Sequence, residues 1–190
     1  MSSALETLAG IAPERVRALR RVEYEQMVSQ GLFANERIEL LEGVIVEMSP
    51  QNPRHAAVVE RLTNKLARLV SDRASLRVQL PLATSDRSMP ESDLAIVALG
   101  DYDAGHPTTA LLVVEVAEAS LRKDRRVKSE VYARAGVPEY WVVNLIDGLI
   151  EVHADVGGDA YTRITPARPG ESIRLHAFPD VEIAVGEILR

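Results

Sequence analysis

The sequence contains no cysteine, which excludes disulfide cross-links and thiolate metal sites. It has no run of about 18 apolar residues, so no membrane-spanning helix is expected. The opening MSSALETLAG lacks the basic start and long apolar run of a signal peptide, and a cytoplasmic location is the expectation. G-x-S-x-G, P-loop and Rossmann glycine patterns are missing, which removes support for those enzyme classes. Internal repeats, low-complexity segments and linkers are missing as well. Basic residues are in deficit: 22 Lys and Arg against 28 Asp and Glu give a net charge of −6. That balance argues mildly against nucleic acid, whose binding rests on basic patches. The cations are unevenly spread, however, with Arg122, Lys123, Arg125, Arg126 and Lys128 in one cluster and Arg54, Arg61, Lys65 and Arg68 in another.

What is present reads as one globular domain over residues 1–190, with 1–20 a peripheral tail or helix. A hydrophobic content of 46% beside 26% charged residues is ordinary for such a domain. Pro13 is suited to the first turn of a helix that includes Val16 and Leu19, and Tyr24 to Ser29 reads as a further short helix. IELLEGVIVEM predicts two strands around a Glu42-Gly43 turn. From His55 to Val70 the apolar positions Val58, Val59, Leu62, Leu66, Leu69 and Val70 form one helical stripe. Leu76 to Thr84 alternates as a strand, with Pro81 marking an edge or a bend. After a strand at Glu139 to Asn144, runs at Leu149, Tyr161, Ile173 and Val181 predict a closing antiparallel set.

The most informative stretch is Ser92 to Tyr140. LLVVEV is a continuous apolar run, as in a strand covered on both faces, yet it holds the ionisable Glu115. Asp93 heads the preceding run, and a hairpin with its midpoint near Ala104 sets position 93 opposite position 115. Two adjacent acids invite a hard divalent cation, Mg²⁺ or Mn²⁺. A helix follows, begun by Ser120 or Asp124 and ended near Gly136. Val127, Val131 and Ala135 define its inward stripe, in which Asp124 and Lys128 also fall. Lys128 on this face completes an Asp–Glu–Lys cluster, and Tyr132, four residues on, would steady it. Taken singly, each residue has an ordinary alternative: a strand start for Asp93, a salt bridge for Glu115, an i,i+4 pair with Asp124 for Lys128.

PESDLAIV, LLVVEVAEAS and D-R-x-V-K-x-x-x-Y-x-x-x-G-V-P-E-Y-W-V-V together resemble the Uma-type putative restriction endonuclease family of the PD-(D/E)XK nuclease superfamily. The likeness extends to YEQMV, ERIELLEGVIVEMSP and His55, covering about residues 22–155. Two departures stand out. Ser92 replaces the proline usual before the aspartate, and Ala117 occupies the place of the superfamily's lysine, which in this family has moved to the following helix, at Lys128. The resemblance implies an α/β (α+β) restriction-endonuclease-like core, a mixed central sheet flanked by helices. To it are added an N-terminal hairpin and C-terminal antiparallel strands.

It further implies that Asp93 and Glu115 hold Mg²⁺ (Mn²⁺ substituting), with the Val116 carbonyl by superfamily precedent, and that Lys128 serves water or the transition state. Glu39 and His55 match family positions and are accessory candidates with Tyr132; the alternatives are an exposed strand charge and a packed histidine. His106, His153 and His176 have no ligand spacing. The expected activity is a metal-dependent endonuclease acting on DNA, with no membrane partner and a homodimer as the candidate assembly. The rival is a catalytically silent nuclease-fold module that binds DNA or a protein.

Overall fold

The structure, a computed structural model, describes residues 17–190. The expectations for Pro13, Val16 and most of the 1–20 tail lie outside the described residues. Helix α1 (Arg21–Ser29) buries Tyr24. Strands β1 (Ile38–Leu41) and β2 (Val44–Glu47) follow as the hairpin predicted around Glu42-Gly43. Both turn residues have positive φ, 51° and 80°, the sign a two-residue type I′ turn requires. Gly43 is required for space too, since a Cβ there would lie 2.5 Å from the Cβ of Ala18. The hairpin is tied to the chain ahead of β4 through Met89, whose N–H donates to the Leu40 carbonyl at 2.7 Å.

Helix α2 (Pro53–Val70) starts two residues before the expected His55. Asn52 caps it by accepting from the His55 N–H at 2.9 Å, and proline occupies the first turn. Its stripe of Val58, Val59, Leu62, Leu66 and Val70 is buried. The central sheet has the order β3-β4-β5-β6-β7-β8, from β3 (Ser75–Pro81), β4 (Glu91–Val97), β5 (Leu112–Ala117), β6 (Glu139–Asn144), β7 (Leu149–Gly157) and β8 (Ala160–Ala167). Only β5 and β6 pair in parallel within it, so the sheet is mixed. β3 is an edge strand ending at Pro81, where a missing ladder donor does no harm.

The two faces of the sheet separate by residue parity. Leu94, Ile96, Leu112, Val114, Trp141 and Val143 pack with α2. Ala95, Val97, Val113, Tyr140 and Val142 pack on the other side with Tyr132 and Ala133 of a helix over residues 121–134. This helix consists of α3 (Leu121–Lys123), a π-turn (Asp124–Lys128) and α4 (Ser129–Arg134). The C-terminal strands divide: β7 and β8 extend the central sheet, whereas β9 (Ser172–Arg174) and β10 (Glu182–Ala184) form a ribbon of their own. Ile173, Phe178, Val181 and Ile183 of that region join the α2 layer, as does the short α5 (Val185–Ile188). No helix among the described residues is long and apolar enough to cross a membrane.

Leu66 is fully buried between α2 and the sheet. Leu66→Ala should lower stability by about 2–5 kcal/mol, from lost transfer free energy and the cavity left behind. Urea unfolding should show a lower midpoint with an unchanged slope.

Candidate active site

β4 and β5 pair with the register Leu94↔Val114, which continues to place Asp93 beside Glu115 at one end of the strands. Both side chains lie on the face covered by the 121–134 helix, and both are buried, at 8% and 4% exposure. Asp93 is held by its Oδ2 alone. That atom accepts from the Val116 N–H at 2.8 Å and lies 3.1 Å from His55 Nε2 at the start of α2. His55 thus bonds a site acid directly, and its other nitrogen, Nδ1, is buried without a partner among the described residues.

Glu115 is likewise held by one oxygen. Its Oε1 accepts from Lys128 Nζ at 2.9 Å and from the Tyr132 hydroxyl at 2.7 Å. Tyr132 therefore steadies the acid and not, as the spacing suggested, the lysine. Ser120 takes the N-cap position, and Asp124, the other capping candidate, lies inside the helix in the π-turn. Asp124, Lys128 and Val131 are inward as the predicted stripe has them, each buried at 2% exposure. Val127 departs from it at 37% exposed, where the wider π-turn shifts the helical phase.

Glu39 is fully buried and bridges two lysines, with Oε1 2.6 Å from Lys123 Nζ and Oε2 2.9 Å from Lys128 Nζ. The alternative of an exposed strand charge is thereby overturned. Lys128 completes its set of three acceptors with the Glu91 carbonyl at 3.2 Å. The basic cluster divides in the same way. Lys123 serves Glu39, and Arg125 pairs with Glu151 and Asp147, whereas Arg122 and Arg126 have no ion pair among the described residues.

Burial disfavours every charge here, and the neighbours decide each outcome. The Lys128 ammonium is held above its ordinary range, because Glu115, Glu39 and Asp124 outweigh desolvation. Glu39 is held below the usual carboxylate range, desolvation being outweighed by Lys128 and Lys123. Glu115 is pushed up to about 8 by burial, with Asp124, Asp93 and Glu39 adding to it against the pull of Lys128. Asp124 is raised by burial too, against Lys128 and a hydrogen bond from Ser120. The buried acids Glu39, Asp93, Glu115 and Asp124 therefore face fewer cations, Lys128 and the partly exposed Lys123.

A cavity of about 80 Å³ opens among His55, Asp93, Glu115, Lys123, Asp124 and Lys128. Its donor set is compatible with the divalent cation that the resemblance implies. Among the described residues, Asp93 Oδ1 and Glu115 Oε2 have no protein hydrogen bond. No group of three or more His, Asp and Glu side chains that could hold a metal ion occurs among those residues, so fewer than three such side chains would ligate it. Two hard oxygen ligands with water filling the other positions is the usual manner of holding Mg²⁺. The surplus of buried negative charge favours such an ion.

A family model described as a putative restriction endonuclease, Uma2, matches residues 21–186. Among solved structures, the chain is similar to the crystal structure of a putative nuclease belonging to DUF820 from Anabaena variabilis. The TM-score is 0.67 at 11% identity, over 81% of this chain and 90% of that one. At that identity the likeness concerns the fold. No curated protein matches the chain.

Glu115→Gln keeps the side-chain shape while removing both the charge repulsion and a candidate ligand. In EDTA the variant should melt at or above the wild-type temperature. Saturating Mn²⁺ at about 100 times its Kd should stabilise only the wild type, by roughly 2.7 kcal/mol. A variant that melts clearly lower, with neither protein responding to Mn²⁺, would make Glu115 a structural salt-bridge partner.

Proposed function

This chain belongs to the Uma2 putative restriction endonuclease family, and we propose that it is a Mg²⁺-dependent endonuclease hydrolysing phosphodiester bonds in DNA. The observation that supports this reading is the asymmetry of the two strand acids. Asp93 and Glu115 are each fixed through one oxygen and keep the other free of protein hydrogen bonds, beside one cavity. A structural carboxylate would be expected to use both oxygens, as Glu39 does.

Asp93 and Glu115 would hold the cation. The chemistry it supplies there is Lewis-acid activation of water and neutralisation of charge on the phosphate. The Val116 N–H and His55 orient Asp93, and Tyr132 and Lys128 orient Glu115. All three Lys128 protons have acceptors, so its first task is to fix Glu115 and Glu39 and to limit the pocket's negative charge. It reaches the phosphate only by releasing one of them. Lys123, with a side chain 24% exposed, is the cation at the mouth and the first to meet an incoming phosphate. His55 lines the cavity and orients Asp93 through Nε2, while its Nδ1 is buried and unpartnered among the described residues.

The full set of acceptors on Lys128 also favours a second reading. A lysine so satisfied can hold a fold together without turnover, in which case the chain binds DNA or a protein and cleaves nothing.

Incubation with plasmid in Mg²⁺ or Mn²⁺ separates the two readings. The proposal expects nicking or linearisation that EDTA abolishes. Asp93→Asn should lower the rate at least about 100-fold, since even outer-shell changes at metal sites cost 10–100-fold. The far-ultraviolet spectrum should be unchanged. Wild-type rates in Asp93→Asn, or cleavage indifferent to EDTA, would sink the assignment.

The unpaired Arg122 and Arg126 bear on the substrate. Changing both to Gln should weaken DNA binding and make the slope of log K against log salt shallower by about 2. The melting temperature should stay put, because neither residue has an ion pair to lose among the described residues. An unaltered slope would place DNA on another face.

A further inference from the structure

A second, larger cavity of about 430 Å³ adjoins the acid site, and the proposed chemistry leaves it unused. It lies between α1, the turn that follows α1, and the start of β4. Arg37 lines both cavities and forms a 2.7 Å ion pair with Glu91, which also lines the second. The Glu91 carbonyl, on the same residue, accepts from Lys128. One Arg–Glu pair is thus the partition between the two spaces. The walls beyond it are mixed, with Tyr24, Phe33, Ile38 and Met89 supplying apolar and aromatic surface and Glu25 and Glu36 supplying carboxylates. The far end is His106, whose Nδ1 lies 3.1 Å from Arg77 Nη2. Arg77 has no carboxylate partner among the described residues, and its charge, with that of Arg21, depresses the His106 proton affinity after desolvation.

We propose that this cavity is a base-binding subsite, taking the nucleobase next to the phosphate held at Asp93 and Glu115. The inference rests on the nuclease reading for the position of that phosphate. A volume of 430 Å³ is within the range of small-molecule sites, and the mixture of apolar walls with a few polar edges is their usual chemistry. A base is the part of a nucleic acid with two apolar faces and a polar rim, and stacking on aromatic side chains is how proteins hold unpaired bases. Arg37, at the partition, exchanges Glu91 for the backbone phosphate that links the two positions. At the far end Arg77, hydrogen-bonded to His106, is a cation for the phosphate on the far side of the base, with Glu25 of the lining opposing it. Phe33, half-buried in the turn after α1, is the stacking platform.

The test is a two-by-two cycle on single-stranded oligonucleotides. One axis replaces a base by an abasic residue at successive positions around the cleaved bond; the other is Phe33→Ala. At one position next to that bond, base removal should lower kcat/KM of the wild type about tenfold, the scale of one base–aromatic stack. In Phe33→Ala the same removal should have little further effect, and Phe33→Leu, which keeps bulk but not the aromatic face, should behave like Phe33→Ala. Equal losses in wild type and variant at every position would overturn the subsite. So would a Phe33→Ala enzyme slowed to the same degree on intact and abasic strands, which marks a structural role. If the wild type cleaves nothing, the nuclease reading fails separately, and the same four combinations are read as Kd by fluorescence anisotropy. Additive effects on Kd, or no binding of the intact strand, would then overturn the subsite as well.

Discussion

The site depends on one buried ammonium group. Lys128 Nζ, on a residue 2% exposed, is shared by Glu115 of β5, Glu39 of β1 and the backbone carbonyl of Glu91 at the start of β4. Burying a charge is costly unless it is paired and its hydrogen bonds are filled, and here every proton has an acceptor. The arrangement binds three distant parts of the sequence to one helix. It also explains why the N-terminal hairpin belongs to the site. The hairpin's own apolar cluster is small, centred on Tyr24, Leu40 and Met89, and the charged contact beneath it joins the backbone bonds of Leu40 and Gly43 in holding it over the strands. Breaking a buried pair by deleting one partner typically costs about 3–5 kcal/mol, so this lysine has structural consequences whatever its chemistry.

The helix pays for that reach with an irregular turn. Residues 124–128 form a π-turn, a feature that recurs at functional sites because it redirects side chains that an α-helix would set elsewhere. Asp124 and Lys128 come inward, as the stripe placed them, and Val127 goes out, against it. On β5, two residues beyond Glu115, Ala117 is fully buried on the same face. Lys128 comes to the same face from the helix above it.

Much of this was legible in the sequence where the signal was local. The apolar run LLVVEV with one acid in it, the Ala104 midpoint and the apolar stripe of α2 each follow from periodicity and turn chemistry. The register that sets 93 beside 115 follows from loop symmetry alone. What the sequence hid were contacts between distant charges. Nothing near Glu39 announces Lys123 and Lys128 as partners 84 and 89 positions on, and nothing near Arg125 announces Glu151. Tyr132 was placed on the right face, but spacing cannot tell whether its hydroxyl meets the lysine or the acid. The phase shift of the π-turn has no sequence mark either. Asp124 was visible as an inward acid, and only the structure gives it a place in the site cavity.

Charge balance, finally, reconciles an acidic protein with a polyanionic substrate. A net charge of −6 opposes DNA at long range, and the buried acids oppose a phosphate at short range. On the proposed reading both obstacles are reduced at one point by one ion. A divalent cation between Asp93 and Glu115 would offset the acids that Lys128 and Lys123 leave uncompensated, and would counter the burial that, with the neighbouring acids, raises the Glu115 proton affinity. Phosphate then meets a neutral pocket with Lys123 at its mouth, flanked by Arg122 and Arg126 on the same helix. On that same reading the metal-free site would repel a phosphate and the metal-bound site would accept it. Cation and phosphate binding would then be thermodynamically coupled, and by reciprocity each would tighten the other by the same factor. The acidity of the chain would act as selectivity, confining a phosphate backbone to the position of the ion.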